Sequence, residues 1–417
     1  MEKVGKVPSA LTPYRVLDLV DESGDFCTKV LAALGADVIK IEPPGGHPTR
    51  RIGPFYHNEV DPEKSLHWLN YNLNKRSITL NIECASGQEL FRQLVQKADF
   101  LVECFRPGYL DKLGLGYPAL SSINARLIHT SITPFGSTGP YNQFKGCDLV
   151  SMAESGLMYL VGDDDRPPVQ FTTPVPSIQT GLEAAVATLA AHWYRQQSGE
   201  GQFVDVSAQE SVMAQTLPQT MFWKTHGLLA SRGNLGPRTP GRPSGLGIFN
   251  CQDGGLVICA TTILRGRQPL RKWMDSEGMA GELLDPKWDG VFLKGATVTK
   301  EQKEYIDTLF RAFALKHTSR ELMYEAQKRD IQVVKIQNVP DVIEDPHLKA
   351  RDYFVQVEHP ELGDTITYAG APFKSDVMPW QYWRRAPFIG EHNEEIYGGE
   401  LGLSRQDMSS LKEGGAI

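Results

Sequence analysis

Arg15-Val-Leu-Asp-Leu-Val20 and Ala36-Asp-Val-Ile-Lys-Ile-Glu42 are two short apolar runs separated by a helical stretch over residues 27–34 that ends at Gly35. Runs of this length, without strict alternation and rich in Val, Ile and Leu, predict strands buried on both faces. Pro43-Pro44-Gly45-Gly46 stops the second run. The unit recurs: strands are expected at Ser77-Ile-Thr-Leu-Asn-Ile82, Phe100-Leu-Val-Glu-Cys104, Arg126-Leu-Ile-His-Thr-Ser-Ile132 and Phe203-Val-Asp-Val-Ser207. Ser86 and Glu89 have capping-box spacing ahead of a helix through Ala98, and a long helix is expected over residues 179–197. Strands alternating with helices imply βαβ units and a parallel sheet covered on both faces, an α/β fold.

Composition narrows the function classes. The chain has 417 residues, 41% hydrophobic and 22% charged, which is ordinary for a globular protein and too long for one core, so two domains are expected. Its 43 basic and 50 acidic residues leave a net charge of −7, and no global basic surface for nucleic acid or an anionic membrane follows. The six cysteines form no C-x-x-C pair and read as reduced thiols. Met1-Glu-Lys-Val-Gly-Lys6 leads into no apolar signal region, so a soluble cytoplasmic protein is expected. Past Trp223 the character changes: residues 233–247 are rich in Gly, Pro, Arg and Ser. Strands near residues 256–260, 331–336 and 354–358 and helices near 304–315 and 320–329 then suggest a smaller α+β domain.

The usual nucleotide and hydrolase fingerprints are missing. There is no G-x-x-x-x-G-K-[ST], no G-x-G-x-x-G between a strand and a helix, and no G-x-S-x-G. The turn after the first strand, Asp21-Glu-Ser-Gly-Asp25, is too acidic to cradle a pyrophosphate. No His/Cys/Asp/Glu cluster has metal spacing. His129, inside an apolar strand, reads as a core histidine with its hydrogen bonds satisfied. Four segments keep chemical interest: Asn72-Leu-Asn-Lys-Arg-Ser77, Arg106-Pro-Gly108, Lys145-Gly-Cys-Asp148 and Gly390-Glu-His-Asn393. Arg106 follows a strand and so falls at the carboxyl edge of the sheet, where open α/β folds bind ligands.

The order of these segments resembles the family III CoA-transferases. The matching text is Leu34-Gly-Ala-Asp-Val-Ile-Lys-Ile-Glu42, Asn74-Lys-Arg-Ser77, Leu101-Val-Glu103, Arg106-Pro-Gly108, Gln197-Ser-Gly-Glu-Gly-Gln202 and Pro387-Phe-Ile-Gly-Glu-His392. The resemblance implies a large Rossmann-like CoA-binding domain over residues 1–215, a linker over 216–245, a small α+β domain over 246–375, and a return to the large domain over 376–417. It also implies a dimer whose chains pass through each other like linked rings. No permanently bound cofactor is implied; coenzyme A thioesters are substrates. By position, Glu22, Ser23, Leu80, Asn81, Cys104, Phe105, Arg106, Lys112, Lys145 and Gly146 would face CoA, with Lys75 and Arg76 near the same edge. Pro43 stands where relatives such as formyl-CoA transferase carry a basic residue.

Active members use an aspartate nucleophile shortly before the glycine that begins the long helix. The matching segment is Ser177-Ile-Gln-Thr-Gly181, so Ser177 occupies that place. A mixed anhydride can expel its carboxylate again, whereas a serine ester would be a dead end. Asp163-Asp-Asp165 and Glu183, the nearest carboxylates in sequence, read as a surface loop and a solvated helix face. The Gly-His-Asp element of the racemase branch is Gly146-Cys-Asp148 here, which disfavours racemisation. The expectation is therefore a heteromeric enzyme with no catalytic residue of its own in this chain and the nucleophilic aspartate on a paralogous subunit. The resemblance, rather than any residue, implies that it would carry CoA from succinyl-CoA to a carboxylic acid, with (R)-benzylsuccinate of anaerobic toluene degradation as the expected acceptor. Two alternatives stand beside it: a self-sufficient homodimer using Asp148, and a non-catalytic CoA-binding protein.

Overall fold

The computed structural model describes residues 9–163, 165–232, 246–259, 261, 267–292 and 298–417. Met1–Lys6, Asp164, Ala260 and most of the Gly/Pro-rich stretch (residues 233–245) lie outside this set. The described residues form two compact units. The first comprises those of Met1–Leu157, Gln170–Thr216 and Ala350–Ile417, and the second those of Met158–Val169 and Leu217–Lys349.

The first unit is built on β1 (Arg15–Leu19), β2 (Asp37–Glu42), β3 (Arg76–Thr79), β4 (Phe100–Glu103), β5 (Ile128–Thr133) and β6 (Gln202–Ser207). All pair in parallel, in the order β3-β2-β1-β4-β5-β6. Helices α1 (Asp25–Ala33), α2 (Leu66–Tyr71), α3 (Ala85–Gln96), α4 (Tyr109–Lys112), α5 (Tyr117–Ile123), α6 (Asp148–Glu154), α7 (Val175–Ser198) and α8 (Ala208–Met213) connect or follow the strands. Successive strand residues face opposite sides, so the unit has two cores. Val16, Val102, Ile128 and Ile132 pack toward α1 and α7, whereas Leu17, Leu19, Ile39 and Leu101 pack toward α3 and α5. Phe91 and Phe100 are fully buried, one in each layer, and each contributes roughly 1.5–3 kcal/mol by leaving water.

In the second unit α9 (Leu217–His226) precedes the antiparallel strands β7 (Gly247–Asn250), β8 (Leu256–Cys259) and β9 (Val333–Ile336), flanked by α10 (Arg267–Ser276), α11 (Lys300–Ala314) and α12 (Ser319–Lys328). The hairpin β10 (Phe354–His359) and β11 (Asp364–Ala369) belongs to the first unit. The return to the large unit therefore starts near residue 350 rather than 376, and residues 217–226, expected in a linker, are helical. Among the described residues no helix is long and apolar enough to cross a membrane.

Three local expectations change. Helix α3 starts at Ala85 with Cys84 as its cap, Sγ accepting from the Gly87 amide, so Ser86 and Glu89 form no capping box. Helix α7 starts at Val175, four residues early, because Pro176 is tolerated in a first turn. Lys75 and Arg76 do not reach the carboxyl edge. They stand where β3 begins, and in a parallel sheet that is the amino edge. Lys75 Nζ lies 2.8 Å from both Asp18 Oδ2 and Thr28 Oγ1, fully buried. Arg76 pairs with Asp37, Glu395 and Glu400 at 2.6–2.8 Å.

Candidate functional site

In the order β3-β2-β1-β4, the chain leaves β1 to one side and reaches β4 on the other, so the loops after β1 and β4 diverge. A crevice opens between such loops at the carboxyl edge, the standard ligand position of doubly wound sheets. A cavity of about 490 Å³ lies there. It is walled by Asp21, Glu22 and Ser23 after β1, by Cys104, Phe105, Arg106 and Pro107 after β4, and by Ile132, Thr133 and Pro134 at the end of β5. The segment from Phe144 to Asp148, the first turns of α7 (Pro174, Ser177, Thr180) and Ala208 complete it.

Each wall is held locally. Asp21 Oδ1 accepts from the Ser23 amide and hydroxyl at 2.9 and 2.5 Å, which fixes the turn presenting Glu22. Below it, Lys40 Nζ donates to the Val20 carbonyl and to Asp18 Oδ1 at 2.5 and 3.1 Å. Glu103 Oε2 accepts from the Phe105 amide at 2.5 Å and orients the loop that carries Arg106. Gly146 is required sterically: a Cβ there would sit 2.3 Å from the Pro134 ring. Gly181 lets α7 approach α1, since a Cβ would lie 2.9 Å from Phe26 Cβ.

Of the residues expected at CoA, Glu22, Ser23, Cys104, Phe105, Arg106, Lys145 and Gly146 line this one cavity. Leu80, Asn81 and Lys112 do not. Leu80 is buried in the core beside α3. Asn81 binds the carboxyl end of the chain, its amide and side chain donating to the Ala416 and Gly415 carbonyls. Lys112 is exposed on α4. Thr133, Pro134, Phe144 and Thr180 also line the cavity and went unnoticed in the sequence, while Asp21, read there only as part of an acidic turn, lines it too. The ends of β5 and α7 would have marked Thr133 and Thr180; nothing local marks Phe144.

The electrostatics are mixed. Arg106 and Lys145 are exposed and make no ion pair among the described residues, in contrast with Lys75 and Arg76. Burial, and then the Asp21 charge, push the Glu22 carboxyl above its ordinary range. Ser177, in the first turn of α7, donates its hydroxyl to Asp148 Oδ1 at 2.5 Å. Asp148 Oδ2 is buried and makes no hydrogen bond among the described residues. Burial raises the Asp148 pKa, and the Ser177 hydrogen bonds only partly offset this. No histidine stands among the described lining residues, so Ser177 has no imidazole base.

A sequence model of CoA-transferase family III matches residues 11–393. The chain belongs to CoA-transferase family III. It is 35% identical over 412 residues, 97% of both chains, to the succinyl-CoA:(R)-benzylsuccinate CoA-transferase subunit BbsE of Thauera aromatica. It is 34% identical to a formyl-CoA:oxalate CoA-transferase of Streptomyces coelicolor, covering 98% of this chain and 99% of that one. Among solved structures, a CaiB/BaiF family protein from Brucella suis superposes with a TM-score of 0.79 at 27% identity, over 94% of this chain and 100% of its own. As a family III CoA-transferase the chain acts on CoA thioesters, and the cavity at the carboxyl edge is its candidate active site.

Proposed function

We propose that this chain is one subunit of a heteromeric, cytoplasmic CoA-transferase that moves CoA from succinyl-CoA to a carboxylic acid, with (R)-benzylsuccinate as the acceptor. A paralogous subunit supplies the nucleophilic aspartate. In this reading Arg106 and Lys145, joined by Lys112, attract the phosphates of CoA, while Glu22, Ser23, Cys104, Phe105 and Gly146 shape the groove. The similarity to a subunit named for that reaction supports the substrate pair.

The observation that carries the reading is the Ser177–Asp148 pair. A transferase nucleophile must present a free carboxylate oxygen to a thioester carbonyl. Here the helix-terminal position holds a hydroxyl, and the nearby carboxylate has one oxygen bound by that hydroxyl and the other buried. A thioester exchange between two carboxylates is nearly isoenergetic, so the reaction needs no nucleotide hydrolysis.

The experiment is to purify the chain alone and co-expressed with an aspartate-bearing paralogue, incubate each with succinyl-CoA, and measure intact masses. No adduct on the single chain and an adduct on the paralogue are expected. A specific observation favours a second reading: the raised pKa and unpartnered oxygen of Asp148 are features of a reactive carboxyl. Turnover or an adduct on the single chain, abolished by Asp148→Asn, would establish that homodimeric enzyme instead.

A further inference from the structure

On the opposite layer of the sheet, toward α5, lies a second cleft of about 330 Å³. Glu103 and His129 face this layer because Leu101 does, and residues two apart along a strand share a face. His129 is 2% exposed, yet neither ring nitrogen has a hydrogen-bond partner among the described residues. The sequence led us to expect a satisfied core histidine, and it is not one. Its Nε2 stands 3.7 Å from Glu103 Oε1, beyond hydrogen-bond reach. A buried imidazole left without partners destabilises the fold unless something completes it.

The cleft's other walls say what could. Tyr117 and Phe203 form an aromatic surface with His129, their ring centroids 5.3–6.2 Å apart. Phe203 lies on the edge strand β6 and is 39% exposed, so a flat ring can reach it. Glu103 and Asp111 would repel an acidic ring but accept from an amino group. Arg106 lines this cleft as well as the first cavity and supplies the cation for a phosphate. The volume is at the lower end of small-molecule sites.

We propose that this cleft is a second ligand site, for an amino-substituted heteroaromatic ring bearing phosphate: an adenine nucleotide. The ring lies on Tyr117 and Phe203, its amine donates to Glu103, a ring nitrogen meets His129, and the phosphate meets Arg106. Because Arg106 borders both cavities, an occupant here also weakens the hold of the first cavity on CoA.

Calorimetric titration of ADP into the full-length protein tests this. Measurable binding is expected, weakened roughly five- to a hundredfold by Phe203→Ala, which removes an exposed stacking surface without opening the core. Lys97→Ala, which removes an exposed cation outside both cavities, should leave it unchanged. Inosine diphosphate, with a carbonyl in place of the amine, should bind about tenfold weaker or worse. The proposal is overturned by the absence of heat at millimolar ADP, by equal binding of the two nucleotides, or by loss in Lys97→Ala with none in Phe203→Ala.

Discussion

Ser177 Oγ donates a 2.5 Å hydrogen bond to Asp148 Oδ1, joining the first turn of α7 to the first residue of α6. Both groups stand where a helix dipole favours negative charge, and the chain places one carboxylate there, on α6. Ser177→Ala removes the donor and leaves the half-buried carboxylate short of a partner. A loss of about 1–2 kcal/mol is expected in urea unfolding at neutral pH. The Asp148 pKa should rise further, because the lost hydrogen bond favoured its charged form. Carboxylate titration by infrared spectroscopy would read that shift; an unchanged Asp148 would separate the two residues functionally.

The buried cluster of Asp18, Lys40 and Lys75 should dominate the chain's response to mutation and acid. Burial alone would raise Asp18, but the two ammonium groups hold its carboxyl well below its ordinary value of 3.8. A carboxyl depressed on folding contributes stability above its unfolded pKa and loses it as pH falls through that value toward the folded one. Wild-type stability should thus drop below about pH 4. Lys75→Met removes one partner of a fully buried pair and should cost about 3–5 kcal/mol, with a shallower acid limb because Asp18 is less depressed. Urea midpoints across pH would show both.

The strands around Asp18 were legible because apolar runs between helical stretches leave few topologies, and the cavity followed from the rule that ligands sit at carboxyl ends. Cations were harder to read. Lys75 and Arg106 look alike in sequence, and only the strand direction shows that one begins a strand and the other follows one. His129 was misjudged for a related reason: an apolar strand tells that a residue is buried, not whether a neighbour completes its hydrogen bonds. Ser177 was located by resemblance, but its partner Asp148 lies 29 residues away and came together with it only through the packing of α6 against α7.

Glu22 should make CoA binding pH-dependent. Its carboxyl, raised above 4.5 by burial and by Asp21, faces the cavity that Arg106 and Lys145 open to phosphates. When ionised it opposes an anionic ligand; when protonated it does not. Relative to Glu22→Gln, wild-type affinity for CoA should therefore be weaker at about pH 8, and the gap should close as the pH falls and Glu22 takes up its proton. Parallel calorimetric profiles for the two proteins would mean that Glu22 does not meet CoA.

Arg106→Ala should weaken CoA binding roughly ten- to a hundredfold, the worth of a guanidinium–phosphate contact of about 1.5–3 kcal/mol. The side chain is exposed, so the difference between wild type and variant should shrink with added salt. Arg76→Ala is the control: its guanidinium is spent on Asp37, Glu395 and Glu400, so it should cost stability and leave the CoA dissociation constant unchanged. Equal losses from both variants would mean that the effect is structural.

The outer face of α7 carries the last prediction. The inner face, with Ala184, Ala185, Thr188 and Ala191, packs on the sheet and α1. The outer face presents Leu182, Val186, Trp193 and Tyr194, each 42–69% exposed. Four large apolar side chains along one helix form a contiguous patch of the kind that monomers rarely leave in water. A linked dimer, as the family resemblance implies, would cover such a face. Trp193→Glu places a charge at its centre. Because the side chain touches little of its own core, the monomer's fold should survive while assembly fails. Light scattering should report a single chain of 46.3 kDa for the variant and at least twice that mass for the wild type. A wild-type protein that is monomeric at micromolar concentration, or a variant that still assembles, would show that this face is not buried between chains.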